Sequence, residues 1–330
     1  MAERIEVYKG VLPIHLGADA LGGAVNVITR SNPNFLDVSY GFGSFNTHKA
    51  SVNHAYTHAS TGFTLRTNAF YNYSDNNYKV HVSPIILSGS NAGQRAPEQA
   101  VKRFHDGYES ATFQMEAGLT GKKFADQLLL GVILSGNDKD IQTGVVMDQV
   151  FGARATRSTS LIPTLKYKKT DFFAKGLDLN LFAAYNLSQN RFIDTTRVKY
   201  NWLQETIPTS TAELLRTRLK NEDHDGLVNA NATYRFGAGY SLGLNYLLTD
   251  FDRKSSDVED TNNVTHLFPQ KLKKQVIGLA WQYQTTRFTG TLFSKFYNLD
   301  AQSFEPVTNG TGVPTYTRSE IQKKQWGYGG

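Results

Sequence analysis

The chain has 330 residues, a net charge of +6 from 35 Lys and Arg against 29 Asp and Glu, and no cysteine. The lack of cysteine excludes disulfides, thiolate metal sites and cysteine nucleophiles, and no apolar run reaches the roughly eighteen residues of a transmembrane helix. Tyr, Phe and Gly are abundant at 17, 20 and 28 residues, which suits β-structure with aromatic borders and tight turns. The cations are dispersed rather than concentrated in one tract, which argues against a nucleic-acid partner.

The chain begins with two short segments that predict a pair of strands. The first is Arg4-Ile5-Glu6-Val7-Tyr8-Lys9-Gly10, in which β-forming residues end at a glycine. The second opens on Gly22-Gly23, where positive φ or close backbone approach costs little, and continues with Val25, Val27 and Ile28. Two such strands bury too little surface to fold alone.

These segments resemble the end of the plug domain in TonB-dependent outer-membrane receptors. There, a strand of the type R-I-E-V-x-x-G is followed by a loop and then by G-A-L-G-G-x-x-N-x-I-T. The chain carries Arg4-Ile5-Glu6-Val7 with Gly10, then Gly17-Ala18-Asp19-Ala20-Leu21-Gly22-Gly23 with Asn26 and Ile28-Thr29. In that family a barrel of 22 strands follows the plug. The resemblance implies that residues 1–31 are the C-terminal end of a plug and that residues 32–330 are the N-terminal half of an outer-membrane β-barrel.

After the polar linker at residues 31–34, apolar and polar residues alternate along most of the chain. Leu36, Val38, Tyr40 and Phe42 fall on one side of the first such segment, and a tight turn follows at Gly43–Thr47. A period of two with one apolar and one polar face is typical of a membrane-barrel strand whose polar face lines a lumen. The same division recurs with apolar rows at Phe63–Tyr73, Ala111–Leu119, Leu177–Leu187, Val228–Phe236, Tyr240–Leu248 and Ile277–Tyr283.

The connections between these segments alternate between short and long. Short ones are predicted at Thr57–Gly62, Gly121–Asp126, Lys169–Lys175, Gly237–Tyr240 and Gln284–Arg287, and long ones at Ser74–Gly107, Asn137–Arg157, Gln189–Asp225, Asp250–Lys274 and Asp300–Arg318. Short turns at one end and long loops at the other are characteristic of outer-membrane barrels. The predicted fold is therefore all-β: an antiparallel transmembrane β-barrel portion of about eleven to twelve strands out of 22, open or incomplete, preceded by the last plug strands.

A barrel in lipid has to close, because unpaired strand edges cost several kcal/mol per backbone group. The chain shows no apolar leader before Arg4 and stops within a predicted strand at Gly329-Gly330. We therefore expect a fragment of a longer exported protein, which forms a curved, open sheet by itself.

No motif for catalysis or metal binding is found. The nucleophile elbow, the P-loop, H-E-x-x-H and G-x-G-x-x-G after a strand are all missing. His54 and His58 would lie roughly 13 Å apart on a strand, too far for one zinc ion. The acidic segment around Asp250–Asp260 does not have the spacing of an EF-hand. We expect neither an enzyme nor a resident cofactor or metal.

The long connections carry basic residues with aromatic residues between them. Such loops could hold an anionic, ring-bearing ligand such as a ferric siderophore, and the alternative is a solvated surface that contacts lipopolysaccharide phosphates. The candidate ligand-binding residues are Arg95, Lys102, Arg103, Arg191, Arg197, Tyr200 and Trp202.

Charged residues in the plug segments suggest contacts with the barrel wall. In the family that this chain resembles, plug charges pair with charges on the wall and hold the plug in place. The candidates in the plug are Arg4, Glu6 and Arg30, and those on the lumen face of the wall are Arg66, Glu116 and Arg235, with Asp178.

The resemblance implies a TonB-dependent receptor in the outer membrane of a Gram-negative bacterium, which takes up a scarce ligand, with a ferric siderophore or a similar metal chelate as the favoured class. It implies the TonB–ExbB–ExbD complex, outer-membrane lipid and lipopolysaccharide, a small-molecule ligand and, for glycan import, a surface lipoprotein as partners. Two alternatives stay open: a passive porin or adhesin barrel, and a soluble β-rich binding module. The first explains the strands but not residues 4–30, and the second predicts a chain that stays monodisperse without detergent.

Overall fold

The computed structural model describes residues 2–9, 23–29, 32–82, 85–87, 92–260, 268–308 and 314–329. Within these ranges there is no helix that is long and apolar enough to cross a membrane. The strands are β1 Ala2–Lys9, β2 Gly23–Thr29, β3 Phe35–Gly43, β4 Thr47–Thr57, β5 Phe63–Ser74, β6 Lys79–Val82, β7 Ile85–Ile86, β8 Arg95–Ala96, β9 Gln99–Lys102, β10 Tyr108–Lys122, β11 Ala125–Asp140, β12 Ala155–Lys169, β13 Leu177–Asp194, β14 Val198–Tyr200, β15 Thr206–Pro208, β16 Thr217–Phe236, β17 Tyr240–Asp257, β18 Gln270–Gln284, β19 Thr289–Thr308 and β20 Pro314–Gly329.

Twelve of the strands form one antiparallel sheet in the described part of the chain. Their order is β3-β4-β5-β10-β11-β12-β13-β16-β17-β18-β19-β20, so that each strand pairs with the next long strand in the sequence. In these residues β3 and β20 are the two edges, and the sheet is not closed into a barrel. The predicted open, antiparallel β-sheet is therefore confirmed. The strands β1 and β2 pair separately from it.

The alternation expected from the sequence divides the sheet into two faces. We call the face that bears Leu242, Leu244 and Leu279 the outer face; these side chains are 49%, 45% and 56% exposed. The opposite, inner face bears polar residues, among them Asn229, Asn231 and Asn245. Because side chains alternate along each strand, the register carries this division from β3 to β20.

The short connections are tight turns whose sequences permit left-handed backbone. Phe45 and Asn46, in the three-residue turn between β3 and β4, have positive φ of 62° and 54°, a conformation that asparagine adopts more readily than most residues. Gly62 precedes β5 with φ of +68°, and a Cβ there would meet the carbonyl oxygen of Thr120. Only glycine fits that close approach.

The strands extend further toward the long loops than the sequence predicts. The segment Gln189–Asp225, predicted as a loop, contributes its first residues to β13 and its last ones to β16, so the connection proper is residues 195–216. Arg191 consequently lies on β13 and not in a loop, which corrects the prediction. Beyond the apolar rows the outer face becomes polar, and the hydrophobic pattern that marks a strand is lost although the backbone pairing continues.

Candidate ligand-binding site in the loops

Three long connections gather at one end of the sheet. They are the described parts of residues 75–107, which follow β5, and residues 141–154 and 195–216, which follow β11 and β13. A small hydrophobic core forms between them from Val82, Ile85, Val101 and Trp202, with Val150 packed against it. Each of the three connections contributes to this core, so we call them together the loop body.

Side-chain hydrogen bonds join the three connections of the loop body. Trp202 is 5% exposed, and its indole Nε1 donates to the carbonyl oxygen of Met147 at 2.8 Å. Asn201 Nδ2 donates to the carbonyl oxygen of Ile86 at 2.9 Å. The buried indole N–H requires a partner, and in both bonds the partner belongs to another loop, so these bonds fix the loops relative to one another.

Gln142 anchors the first connection to the second. Its side chain is 1% exposed. Its Oε1 accepts the backbone N–H groups of Phe104 and His105 at 2.6 and 2.7 Å, and its Nε2 donates to the carbonyl oxygen of Phe151 at 2.7 Å. One amide therefore satisfies three backbone groups.

Two buried carboxylates anchor the third connection. Asp194 is fully buried and accepts the backbone N–H groups of Glu213 and Leu214 at 2.9 and 3.0 Å. Glu213 in turn accepts those of Gly152 and Ala153 at 2.6 and 3.0 Å. Burial raises the pKa of Glu213, while these two backbone donors act in the opposite direction.

The guanidinium group of Arg154 balances part of this negative charge. Its Nε lies 3.4 Å from a carboxylate oxygen of Asp194. The group lies over the rings of Phe151 and Phe192, at 4.2 and 4.8 Å from the ring centres. Cation–π contacts of this kind are strongest when the cation is desolvated, and this side chain is 12% exposed.

A pocket of about 520 Å³ opens in the loop body. Its wall combines charged, aromatic and aliphatic side chains: Val82, Ile85, Ile86, Arg95, Asp148, Val150, Lys199, Tyr200, Asn201, Trp202 and Ile207. This volume lies within the range of about 300–1,000 Å³ that is usual for small-molecule sites. Two cations, one carboxylate and two aromatic rings give it the means to bind a polar molecule that carries rings.

The structure brings three of the seven predicted ligand-binding residues to this pocket, namely Arg95, Tyr200 and Trp202. Arg103 is buried, pairs with Asp106 at 2.9 Å and lies over the ring of Tyr78. Lys102 and Arg197 are exposed and do not line the pocket. Asp148 was missed by sequence reasoning, and Lys199, a basic residue of the same predicted loop that stands beside Tyr200, was not selected as a candidate.

The predicted plug and wall charges have other partners in the described residues. Arg4 and Glu6 pair with each other at 2.8 Å, and Asn26 of β2 donates to Glu6 at 3.0 Å. On the wall, Arg235 pairs with Asp178 and Glu116 pairs with Lys166. Arg66 lies opposite Glu116 in the register of β5 and β10. Arg30 lies outside the described residues, and the plug–wall contact stays a prediction.

The outer face changes character along each strand. On β17 it is apolar from Tyr240 to Leu248, and Asp250 and Asp252 follow toward the loop body. At the short-turn end, rings on neighbouring strands touch: Tyr240 lies 5.8 Å from Trp281, 4.6 Å from Tyr283 and 6.1 Å from Phe236. We call this cluster the aromatic rim.

No family model matches the chain, and neither does any curated protein. Solved structures do. The siderophore receptor PiuA from Acinetobacter baumannii matches with a TM-score of 0.61 at 11% identity, over 98% of this chain and 51% of PiuA. The ferric yersiniabactin uptake receptor FyuA from Yersinia pestis matches with a TM-score of 0.59 at 12% identity, over 98% of this chain and 48% of FyuA. The copper transporter OprC matches with a TM-score of 0.58 at 11% identity, over 98% and 47%.

The chain thus spans about half the length of the solved structures it matches. Sequence identity this low establishes the fold alone, and the fold is that of part of a TonB-dependent receptor, as the resemblance of residues 4–29 implies. The matched structures are receptors and transporters rather than enzymes, in agreement with the expectation from the sequence.

Proposed function

We propose that the chain is part of an outer-membrane receptor that binds a scarce ligand at the loop body and takes it up in a TonB-dependent manner. The single observation that carries this proposal is the division of one sheet into an apolar outer face, a polar inner face and a set of long loops at one end that form a pocket. A passive porin needs no such pocket, and a soluble module needs no wide apolar face.

The dimensions of the outer face support its placement in lipid. Its apolar stretch on β17, from Tyr240 to Leu248, has the length of about 9–11 residues that a tilted strand needs to cross the hydrocarbon layer. Rings at the end of that stretch are typical of a membrane interface, and the aromatic rim lies there. The loops are then extracellular, and the short turns face the periplasm.

The pocket supports a ligand that carries negative charge and rings. Arg95 and Lys199 supply cations, and Tyr200 and Trp202 supply aromatic surface. Siderophore receptors share this fold, and ferric siderophores or similar metal chelates are the ligand class that we assign to the whole protein. The TonB–ExbB–ExbD complex of a Gram-negative cell is the assigned source of energy.

The division of the chain at residue 31 belongs to the same proposal. The pair β1–β2 carries the residues that resemble the plug, and it forms a sheet separate from the wall. Ile5, Val7, Val25 and Val27 on this pair are between 51% and 64% exposed. Exposed apolar residues on a two-stranded sheet call for a covering partner, and the remainder of a plug supplies one.

The test is uptake by cells that produce the protein carrying this chain. Radioiron-loaded siderophores, haem and copper would be offered with and without a protonophore. We expect saturable uptake of one class of ligand, which stops when the proton-motive force is removed. Uptake that persists after uncoupling would refute the assignment and favour a passive porin.

Substitutions in the pocket give a matched comparison. Arg95→Gln together with Tyr200→Ala removes one cation and one ring, and should raise the half-saturation concentration about tenfold. Arg197→Gln, which removes an exposed loop cation outside the pocket, should leave it unchanged. Equal effects of the two changes would exclude the pocket as the ligand site.

A further inference from the structure

On the outer face, three neighbouring strands place three cations side by side. Arg157 of β12 lies directly opposite Arg191 of β13, and Arg191 lies directly opposite Lys220 of β16. Opposed residues on antiparallel strands have Cβ atoms about 4.5–5.5 Å apart, and like charges so placed repel each other. We call these three residues the cation row.

Carboxylates neutralise only the two ends of the cation row. Asp138 accepts from Arg157 at 2.8 Å, and Glu222 accepts from Lys220 at 2.6 Å. Arg191, in the middle, donates to the amide oxygen of Gln189 at 2.9 Å, and no carboxylate of the described residues forms an ion pair with it. The row therefore retains one positive charge at its centre.

The row lies where the outer face stops being apolar. On β13 the outer-face residues run from Leu177 to Leu187, then Gln189, then Arg191. On β12 they run from Tyr167 to Leu161, then Thr159, then Arg157. Two strands thus show the same succession of apolar, neutral polar and cationic side chains, and the register aligns them.

A groove of about 320 Å³ lies directly beside the row on the apolar side. Leu161 and Leu187, which oppose each other, give it an apolar floor, and His224 lies at the side of that floor, opposite Leu187. Thr159, Gln189 and Glu222 form a polar step between that floor and the cations. An occupant of the groove and the row together must be amphipathic, with an anionic group at one end.

We infer that Arg157, Arg191 and Lys220 bind the phosphate group of a membrane lipid whose acyl chain lies along Leu161 and Leu187. A phosphate accepts hydrogen bonds from several cations at once, and a guanidinium can donate two of them in parallel. Its negative charge offsets the repulsion in the row. This inference rests on the proposed placement of the outer face in lipid.

The test measures lipid retention by the full chain in detergent micelles. Native mass spectrometry would count the molecules of phosphatidylglycerol and of phosphatidylcholine bound per chain. We expect Arg191→Gln to weaken binding of phosphatidylglycerol about tenfold, the loss typical of one charge-assisted hydrogen bond, with little change for phosphatidylcholine. Millimolar inorganic phosphate should not displace the lipid, because it lacks the acyl chain; displacement would show a free-phosphate site instead and overturn the inference.

Lys271→Gln with Lys273→Gln is the matched control. Both lysines lie on the outer face of β18, and each faces an aspartate, at 3.6 Å and 3.8 Å. This control should retain phosphatidylglycerol as the unaltered chain does. Equal retention by the Arg191→Gln chain and the unaltered chain would overturn the inference, whereas failure of every chain, the control included, to bind any lipid would instead refute the membrane placement.

A stability measurement separates lipid binding from packing. In lipid-free detergent, removal of the central cation relieves repulsion, so the Arg191→Gln chain should unfold at the same temperature as the unaltered chain or higher. Added phosphatidylglycerol should raise the unfolding temperature of the unaltered chain more than that of the variant. A variant that unfolds earlier without lipid would show that Arg191 acts in packing and would overturn the inference.

Discussion

Glu116 on β10 and Lys166 on β12 form an ion pair at 2.6 Å across the intervening strand β11. The strand between them carries Gly131 at this position, in register with both Glu116 and Thr164. With no side chain on Gly131, the lysine reaches over β11 to a carboxylate that is only 4% exposed. Gln114 adds a hydrogen bond to the same carboxylate at 3.1 Å.

Removal of the lysine should therefore destabilise the sheet. Lys166→Met leaves Glu116 buried without its cation, and we expect a loss of about 2 kcal/mol, below the full penalty for a buried pair because Lys166 is partly exposed. Denaturant unfolding in detergent measures it. The double change Glu116→Gln with Lys166→Met should recover part of the loss; a double variant as unstable as the single one would contradict this account.

A methyl group on Gly131 should also destabilise the sheet. A Cβ there would lie 2.6 Å from Thr164 Oγ1 and 2.9 Å from Glu116 Cγ, so Gly131→Ala should cost about 1–3 kcal/mol through overpacking. Gly136→Ala on the same strand is the control, because its nearest atom is the Ser158 carbonyl oxygen at 3.6 Å. If the Gly131→Ala and Gly136→Ala chains have the same unfolding midpoint, Gly131 does not provide the space for the ion pair.

Gln142 should control how tightly the first connection of the loop body is held. Gln142→Ala removes three hydrogen bonds and leaves the amides of Phe104 and His105 without an acceptor. Their hydrogen exchange should accelerate about tenfold or more, as followed by mass spectrometry of the fragment that contains them. Gln149→Ala, at an exposed position in the second connection, which also contains Gln142, should leave the exchange of these amides unaltered.

Asp126 should stabilise the turn between β12 and β13 in a pH-dependent way. Hydrogen bonds from the hydroxyl and backbone N–H of Thr170, each at 2.6 Å, lower the pKa of Asp126 to about 2 from 3.8. A lowered folded-state pKa gives stability that is complete above pH 3.8 and is lost as the pH falls toward 2.

The matching variant for this turn is Asp126→Asn. Between pH 4 and pH 7 we expect it to be less stable by about 1 kcal/mol, a modest value because the carboxylate is partly solvated. At pH 2, where about half of the folded-state carboxylates are protonated, the difference should be much smaller than at pH 7. Unfolding curves at both ends of the range check this, and a gap as large at pH 2 as at pH 7 would mean that the carboxylate charge is not responsible.

The three tryptophans should differ in their access to lipid. Trp281 and Trp326 lie on the outer face and are 40% and 68% exposed, whereas Trp202 is buried in the loop body. In vesicles with brominated acyl chains, fluorescence of the unaltered chain should be strongly quenched. The chain with Trp281→Phe and Trp326→Phe, which keeps only Trp202, should show little quenching; strong quenching would place the loop body in lipid.

Alternation was enough to predict most of the sheet. The rows at Leu177–Leu187 and Tyr240–Leu248 fall on strands with the predicted faces, because a membrane strand needs one continuous apolar side. Alternation could not locate the strand ends, because charged outer-face residues such as Arg191 and Lys220 interrupt the apolar row before the strand itself ends. The alternation placed Glu116 on the lumen face, but its pairing with Lys166 depends on the register of a strand two positions away in the sheet.

The loop residues show a different limit of sequence reasoning. Trp202 was predicted as a ligand contact, and it both lines the pocket and serves as the buried centre of the loop body. A tryptophan among cations suits either role, and which one dominates depends on loops about fifty residues or more away in the chain. Residues whose partners come from other connections cannot be assigned from their own segment.

The absence of a side chain on Gly131, which lets the ion pair form, also affects how the sheet resists mechanical force. A salt link that straddles a strand ties three neighbouring strands into one unit in addition to their backbone ladders. A mechanical force on any one of these strands, such as the force that moves a plug within the lumen, would be shared by the other two. We therefore expect this part of the wall to be the last to unfold under force.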